Sequence, residues 1–116
     1  MKKILAAVAI MLVLNIAYAG STPKVTGQGN VLCDSWTEAR KQNGMNRLSY
    51  QAWVQGFLSG INWSGVIYTD FLKDDDYGDW FVWMDNYCLI NPHKRIVDGA
   101  STLVLELKNR IRCENC

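Results

Sequence analysis

The sequence predicts an all-α fold: a compact four-helix bundle, stapled by disulfides and preceded by a signal peptide. Three observations predict it. Apolar residues recur at helical spacing in four separate segments, and no run reads convincingly as a strand. All four cysteines lie beyond residue 32, at Cys33, Cys88, Cys113 and Cys116. The first 19 residues follow the three-part pattern of an export signal.

Lys2 and Lys3 form the basic start of that signal, and an apolar run follows over residues 4–16, interrupted at Asn15. Ala17-Tyr18-Ala19 then offers a small-x-small cleavage site. The run is shorter than the about 20 residues of a membrane span, so no stable span is expected after cleavage. The organisation expected is a signal peptide over residues 1–19, a flexible polar lead-in over 20–30 and a helical domain over 31–116. The place expected for such a chain is the periplasm or the exterior.

The chain has 116 residues and a formal net charge of +1. Loss of Lys2 and Lys3 would leave the acids one in excess, a balance that argues against nucleic acid as a partner. An even cysteine count in a small exported domain reads as a disulfide framework. Four cysteines allow three pairings.

The first helix is expected over residues 31–43, with Leu32, Cys33, Trp36, Ala39 and Arg40 on one stripe and Gly44 as its stop. Ser49 is the N-cap expected for the second, which runs to residue 68. Tyr50, Trp53, Val54, Phe57, Leu58 and Ile61 line its apolar face. Gly56 and Gly60 inside it predict close approach by a neighbouring helix. Asp79 is the cap expected for a third helix ending near Leu89. Asn91 as cap and Pro92 at the first position predict the start of the fourth. Its buried face is Ile96, Val97, Ala100, Leu103, Val104, Leu107 and Ile111. His93, Lys94 and Arg95 would then oppose the helix dipole, with Asp98 beside Lys94 as a local remedy.

Residues 70–85 hold six aspartates against Lys73 alone, interleaved with Phe71, Tyr77, Trp80 and Phe81. The spacing fails the EF-hand pattern and lacks its closing Glu, so no metal is expected. A solvated loop is the commonest use of such a run. The functional alternatives are a pH trigger and a recognition surface for a basic cleft, built on Asp74, Asp75, Asp76, Tyr77, Asp79 and Trp80. Among the tryptophans, Trp36, Trp53 and Trp83 are expected in the core, while Trp63 and Trp80 are open.

Cys113 and Cys116 form a C-x-x-C after a helix C-terminus, where the dipole disfavours a thiolate. A local disulfide or a clamp onto the body is expected there, with a thiol-redox role as a lesser alternative. One histidine, His93, and the lack of nucleophile, zinc or phosphate-loop motifs argue against an enzyme, and no cofactor is expected.

The segments Cys33-Asp34-Ser35-Trp36, Trp53-Val54-Gln55-Gly56-Phe57-Leu58-Ser59-Gly60 and Trp83-Met84-Asp85-Asn86-Tyr87-Cys88, with Asn91-Pro92 after the last, carry a resemblance. Over about residues 31–110 the chain resembles small exported all-helical bacterial proteins. In general plan these are similar to the HdeA/HdeB acid-stress chaperones and the periplasmic immunity proteins of type VI secretion. The resemblance implies a Cys33–Cys88 bond and a non-enzymatic protein that binds other proteins, either a secreted toxin or an unfolded client. The Cys113/Cys116 pair lies outside it. The oligomeric state, monomer or homodimer, is left open.

Overall fold

A computed structural model describes residues 20–21 and 23–114; the expected signal peptide and Cys116 lie outside the described residues. Four α-helices follow a single 3-10 turn at Gly27–Asn30: α1 (Cys33–Arg40), α2 (Met45–Ser64), α3 (Tyr77–Ile90) and α4 (Ile96–Glu114). Among the described residues there is no strand, only one isolated bridge between Leu32 and Arg95. The all-helical expectation therefore holds.

The core is continuous through the four helices. Cys33 and Trp36 of α1, Val54 and Leu58 of α2, Trp80, Phe81, Met84 and Cys88 of α3, and Ile96, Ala100, Leu103, Val104 and Leu107 of α4 close on one another, with Phe71 inserted from the α2–α3 link. Each aliphatic side chain buried in full contributes about 1.5–3 kcal/mol. The face expected for the last helix is the face found, with Ile111 at its margin. Gly99 sits where α3 and α4 meet. A Cβ there would stand 2.8 Å from both Met84 and Tyr87, so only glycine admits this approach.

Gly56 and Gly60, by contrast, have nothing within 4 Å of an added Cβ. The close packing expected at these two is absent among the described residues. Each costs about 1 kcal/mol of helix stability relative to alanine.

Helix boundaries differ from the sequence expectations where tertiary bonds intervene. α1 stops at Arg40, before the expected end. α2 starts at Met45, behind Gly44, with no side-chain cap, so Ser49 lies inside it. It ends where Gly65 turns left-handed at φ 68°, which halts it short of residue 68. Asp76, not Asp79, caps α3: its Oδ1 accepts the Gly78 N–H at 2.6 Å.

Asn91 closes α3 instead of opening α4, its Nδ2 donating to the Tyr87 carbonyl at 2.9 Å. Pro92 lies in the turn that follows. The reason is that residues 92–96 serve another helix end. The carbonyls of Pro92 and Lys94 accept from the N–H groups of Asp34 and Cys33, at 3.1 and 2.8 Å, and so satisfy orphan donors of α1. Ile96 N–H reaches the Val31 carbonyl at 2.9 Å. α4 therefore begins only at Ile96, and the cations precede it. Asp98 binds Arg95 and not Lys94: it accepts the Arg95 N–H at 2.8 Å and pairs with its guanidinium at 3.3 Å. Burial pushes the Asp98 carboxyl up, but the Arg95 N–H, the Arg95 guanidinium and the nearby Lys94 charge together hold it below its ordinary value.

The polar lead-in is not uniformly free. Gly29 is buried against the Trp53 indole, where a Cβ would collide with the ring, and Trp53 Nε1 donates to the Thr26 carbonyl at 3.3 Å. Gly27, at φ 70°, makes the turn that brings the chain there.

Candidate functional site: the acidic-aromatic link and its frame

One disulfide, Cys33–Cys88, pins the start of α1 to the end of α3 across 55 positions, with the Cα atoms 4.8 Å apart. This is the pairing that the resemblance implies. No second disulfide is found among the described residues: Cys113 is an exposed free thiol at the end of α4, and Cys116 lies outside them.

A second tie lies one to two turns from the bond. Asp85 on α3 takes a bidentate pair from Arg40 (Nε to Oδ1 2.7 Å, Nη2 to Oδ2 2.8 Å) and the indole N–H of Trp36 at 2.8 Å. The hydrogen bond with Asp85 holds the Arg40 pKa above its ordinary value, against the opposing effect of burial. Sequence reading counted Asp85 with the acidic run and missed this clamp. The signal was Arg40 itself, a cation on the apolar stripe of the first helix, which required a carboxylate opposite.

The acidic run divides by role. Asp70 accepts from Asn62 Nδ2 at 2.9 Å and from the Leu72 N–H at 3.2 Å, while Asn62 Oδ1 accepts the Phe71 N–H at 3.1 Å. These bonds anchor the link to the end of α2. Asp75 faces Arg110 at 3.8 Å, and Asp76 is the α3 cap. Asp74, Tyr77 and Asp79 remain exposed, Asp74 within 3.6 Å of the equally exposed Lys73. Trp80 is only 7% exposed and belongs to the core, so its ring offers no exposed anchor; its Nε1 has no hydrogen-bond partner. The six residues named from sequence thus do not make one open patch. Three are open, and the others are half-buried, capping or buried.

Trp36 is in the core, and Trp53 and Trp83 pack on its margin, stacked on Phe57 and Tyr87. Trp63 resolves the other way from Trp80 and stands 93% exposed. Tyr68 is a further exposed aromatic that sequence reading passed over, held at φ 27°, a conformation costly for a side chain of this size. Two concavities meet at the link, sharing Thr69, Phe71 and Ile111. One, of about 430 Å³, is completed by Val66, Tyr68 and Lys108; the other, of about 310 Å³, by Asp74, Asp75 and Arg110.

No group of three metal-ligating side chains gathers among the described residues, and no described helix is long and apolar enough to cross a membrane. Compared with family models, with curated proteins and with solved structures, the chain matches none.

Proposed function

We propose that this protein is a non-enzymatic, exported binding module that inhibits a secreted toxin, gripping it through the link between α2 and α3 and the first turn of α3. The observation that supports this most is the exposure of Tyr77 between the unburied carboxylates Asp74 and Asp79, where a link anchored at both ends enters the first turn of α3. Aromatic anchors flanked by carboxylates suit a basic cleft, which the charges would steer into contact. An intramolecular disulfide suits an oxidising compartment such as the periplasm. The test is binding to, and inhibition of, any secreted toxin-like enzyme found to be encoded beside this protein. Tyr77→Ala, which also removes a ring packed on Phe81, and Asp79→Asn are each expected to weaken binding at least about tenfold, with the unfolding free energy lowered by no more than about 1 kcal/mol. Undiminished binding by both variants would overturn the assignment.

A second reading, an acid-activated chaperone, is favoured by the carboxylate of Asp98 at the start of α4, which its bonds to Arg95 hold below its ordinary pKa. A carboxyl whose pKa is depressed on folding adds stability above its unfolded value of about 3.9. That stability fades as pH falls through the lower folded value. The domain is then expected to loosen below about pH 4 and to bind a hydrophobic dye and aggregating clients near pH 2–3. Asp98→Asn should flatten the acid limb of stability. Retention of native near-UV dichroism at pH 2, with no client protection, would dismiss this reading.

A further inference from the structure

The larger of the two concavities at the link, about 430 Å³, has no role in the account above. Phe71, buried in full, and the half-buried Ile67 and Ile111 supply its apolar inner wall. Val66 and Tyr68 line it too, yet are 73% and 99% exposed, so two large side chains stand in water beside an apolar hollow. Tyr68 is held there at φ 27°, and strained residues of this kind gather at ligand clamps.

The charged residues that line the hollow are Lys108 and Arg112, both cations. They sit four apart on α4, a spacing at which like charges weaken a helix. The helix dipole accounts for cations near this end. It does not account for two on one face, beside apolar side chains. Among the described residues Lys108 has no carboxylate partner.

We propose that this concavity is a binding site for a single-chain amphipathic anion, a medium-chain fatty-acid carboxylate. The tail lies against Ile67, Phe71 and Ile111, flanked by Val66 and Tyr68, and the carboxylate sits between Lys108 and Arg112. Size, charge and polarity select this ligand. At about 30 Å³ for a water-sized group, the hollow holds roughly fourteen such groups, about the non-hydrogen atoms of dodecanoate. An anionic bilayer surface fits less well. The adjoining concavity sets Asp70, Asp74 and Asp75 against Lys73 and Arg110, and a charged sheet would meet that carboxylate excess as well. A peptide strand fits less well too, because each of its amides needs a partner. The neutral polar side-chain groups on this lining are only the hydroxyls of Thr69 and Tyr68. The site uses none of Asp74, Tyr77 and Asp79, so it is independent of toxin binding.

Calorimetric titration of the purified, exported protein with monomeric dodecanoate is expected to give one site per chain, with Kd roughly 10–100 µM. Each methylene added between octanoate and dodecanoate should tighten Kd about two- to fourfold. Tetradecanoate should gain little more, because the hollow is then full. Dodecanol and dodecyltrimethylammonium share the tail and should bind at least about tenfold more weakly. Lys108→Gln should raise the dodecanoate Kd at least about fivefold and leave that of dodecanol unchanged. Tyr68→Gly removes the ring and relieves the positive φ, so thermal unfolding should hold or rise while the dodecanoate Kd rises about threefold or more. Vesicles of phosphatidylethanolamine and phosphatidylglycerol should not carry the protein into the pellet. Equal affinity for the three head groups, several equivalent ligands per chain, an unchanged Kd in either variant, or pelleting with vesicles would overturn the proposal.

Discussion

Removal of the Cys33–Cys88 bond is expected to lower the unfolding free energy by about 4 kcal/mol, from loss of the constraint on the unfolded chain. For a domain near 100 residues, that corresponds to a fall in Tm of roughly 15–30 °C. The effect is large because of what the bond holds. α1 has only eight residues, fewer than a helix needs to stand alone in water. Its remaining ties are the Trp36 ring, the Arg40–Asp85 pair and two backbone bonds from the turn after α3. Both cysteines are buried in full, so Cys33→Ala/Cys88→Ala also removes packed sulfur. Urea unfolding of the oxidised protein, the reduced protein and this double variant measures the effect. A loss below about 1 kcal/mol would show that the helical core holds α1 without the bond.

Trp36→Ala is expected to cost about 3–5 kcal/mol, the range for deleting a large aromatic from a core. Trp36 is among the largest side chains buried in full, packs on Phe81 with ring centroids 6.3 Å apart, and gives its N–H to Asp85. Two effects are therefore removed together, and Trp36→Phe separates them. Phenylalanine keeps most of the ring volume and loses the donor, at an expected cost nearer 1–2 kcal/mol. Arg40 continues to hold Asp85 in that variant, which keeps the carboxylate from being stranded. Equilibrium unfolding of both variants decides the point. If Trp36→Phe is as damaging as Trp36→Ala, the hydrogen bond outweighs the packing and the account given for this corner of the core fails.

The two tests bear on function through the link. Phe71 is the link's buried anchor and Asp76 its far end, so Tyr77 and Asp79 are presented only while the α2–α3–α4 core stands. Binding assays are informative on variants that stay folded under the assay conditions. This is why Tyr77 and Asp79, exposed and outside the core, are chosen for them.

Local pattern was enough for the helical class, the four amphipathic segments and the buried face of α4. Side chains at helical spacing declare their inner face whatever they pack against, and residues from Ile96 to Leu107 kept that face. The left-handed stop at Gly65 needed only a residue free to adopt positive φ, yet the apolar residues beyond it masked the signal.

What tertiary structure decided lies wherever a group's partner is distant in sequence. Asn91 and Pro92 satisfy every local rule for a helix start, but the carbonyls of residues 92 and 94 are drawn to the α1 N-terminus some 58–61 positions earlier. Asp85 belongs by composition to an acidic run and by contact to Arg40, 45 positions away. Glycine carries the same ambiguity. Gly56 and Gly60 read as packing sites and face outward, while Gly99 lies at the close approach. A glycine declares only that no side chain is wanted. Which neighbour occupies the space depends on how the helices are assembled.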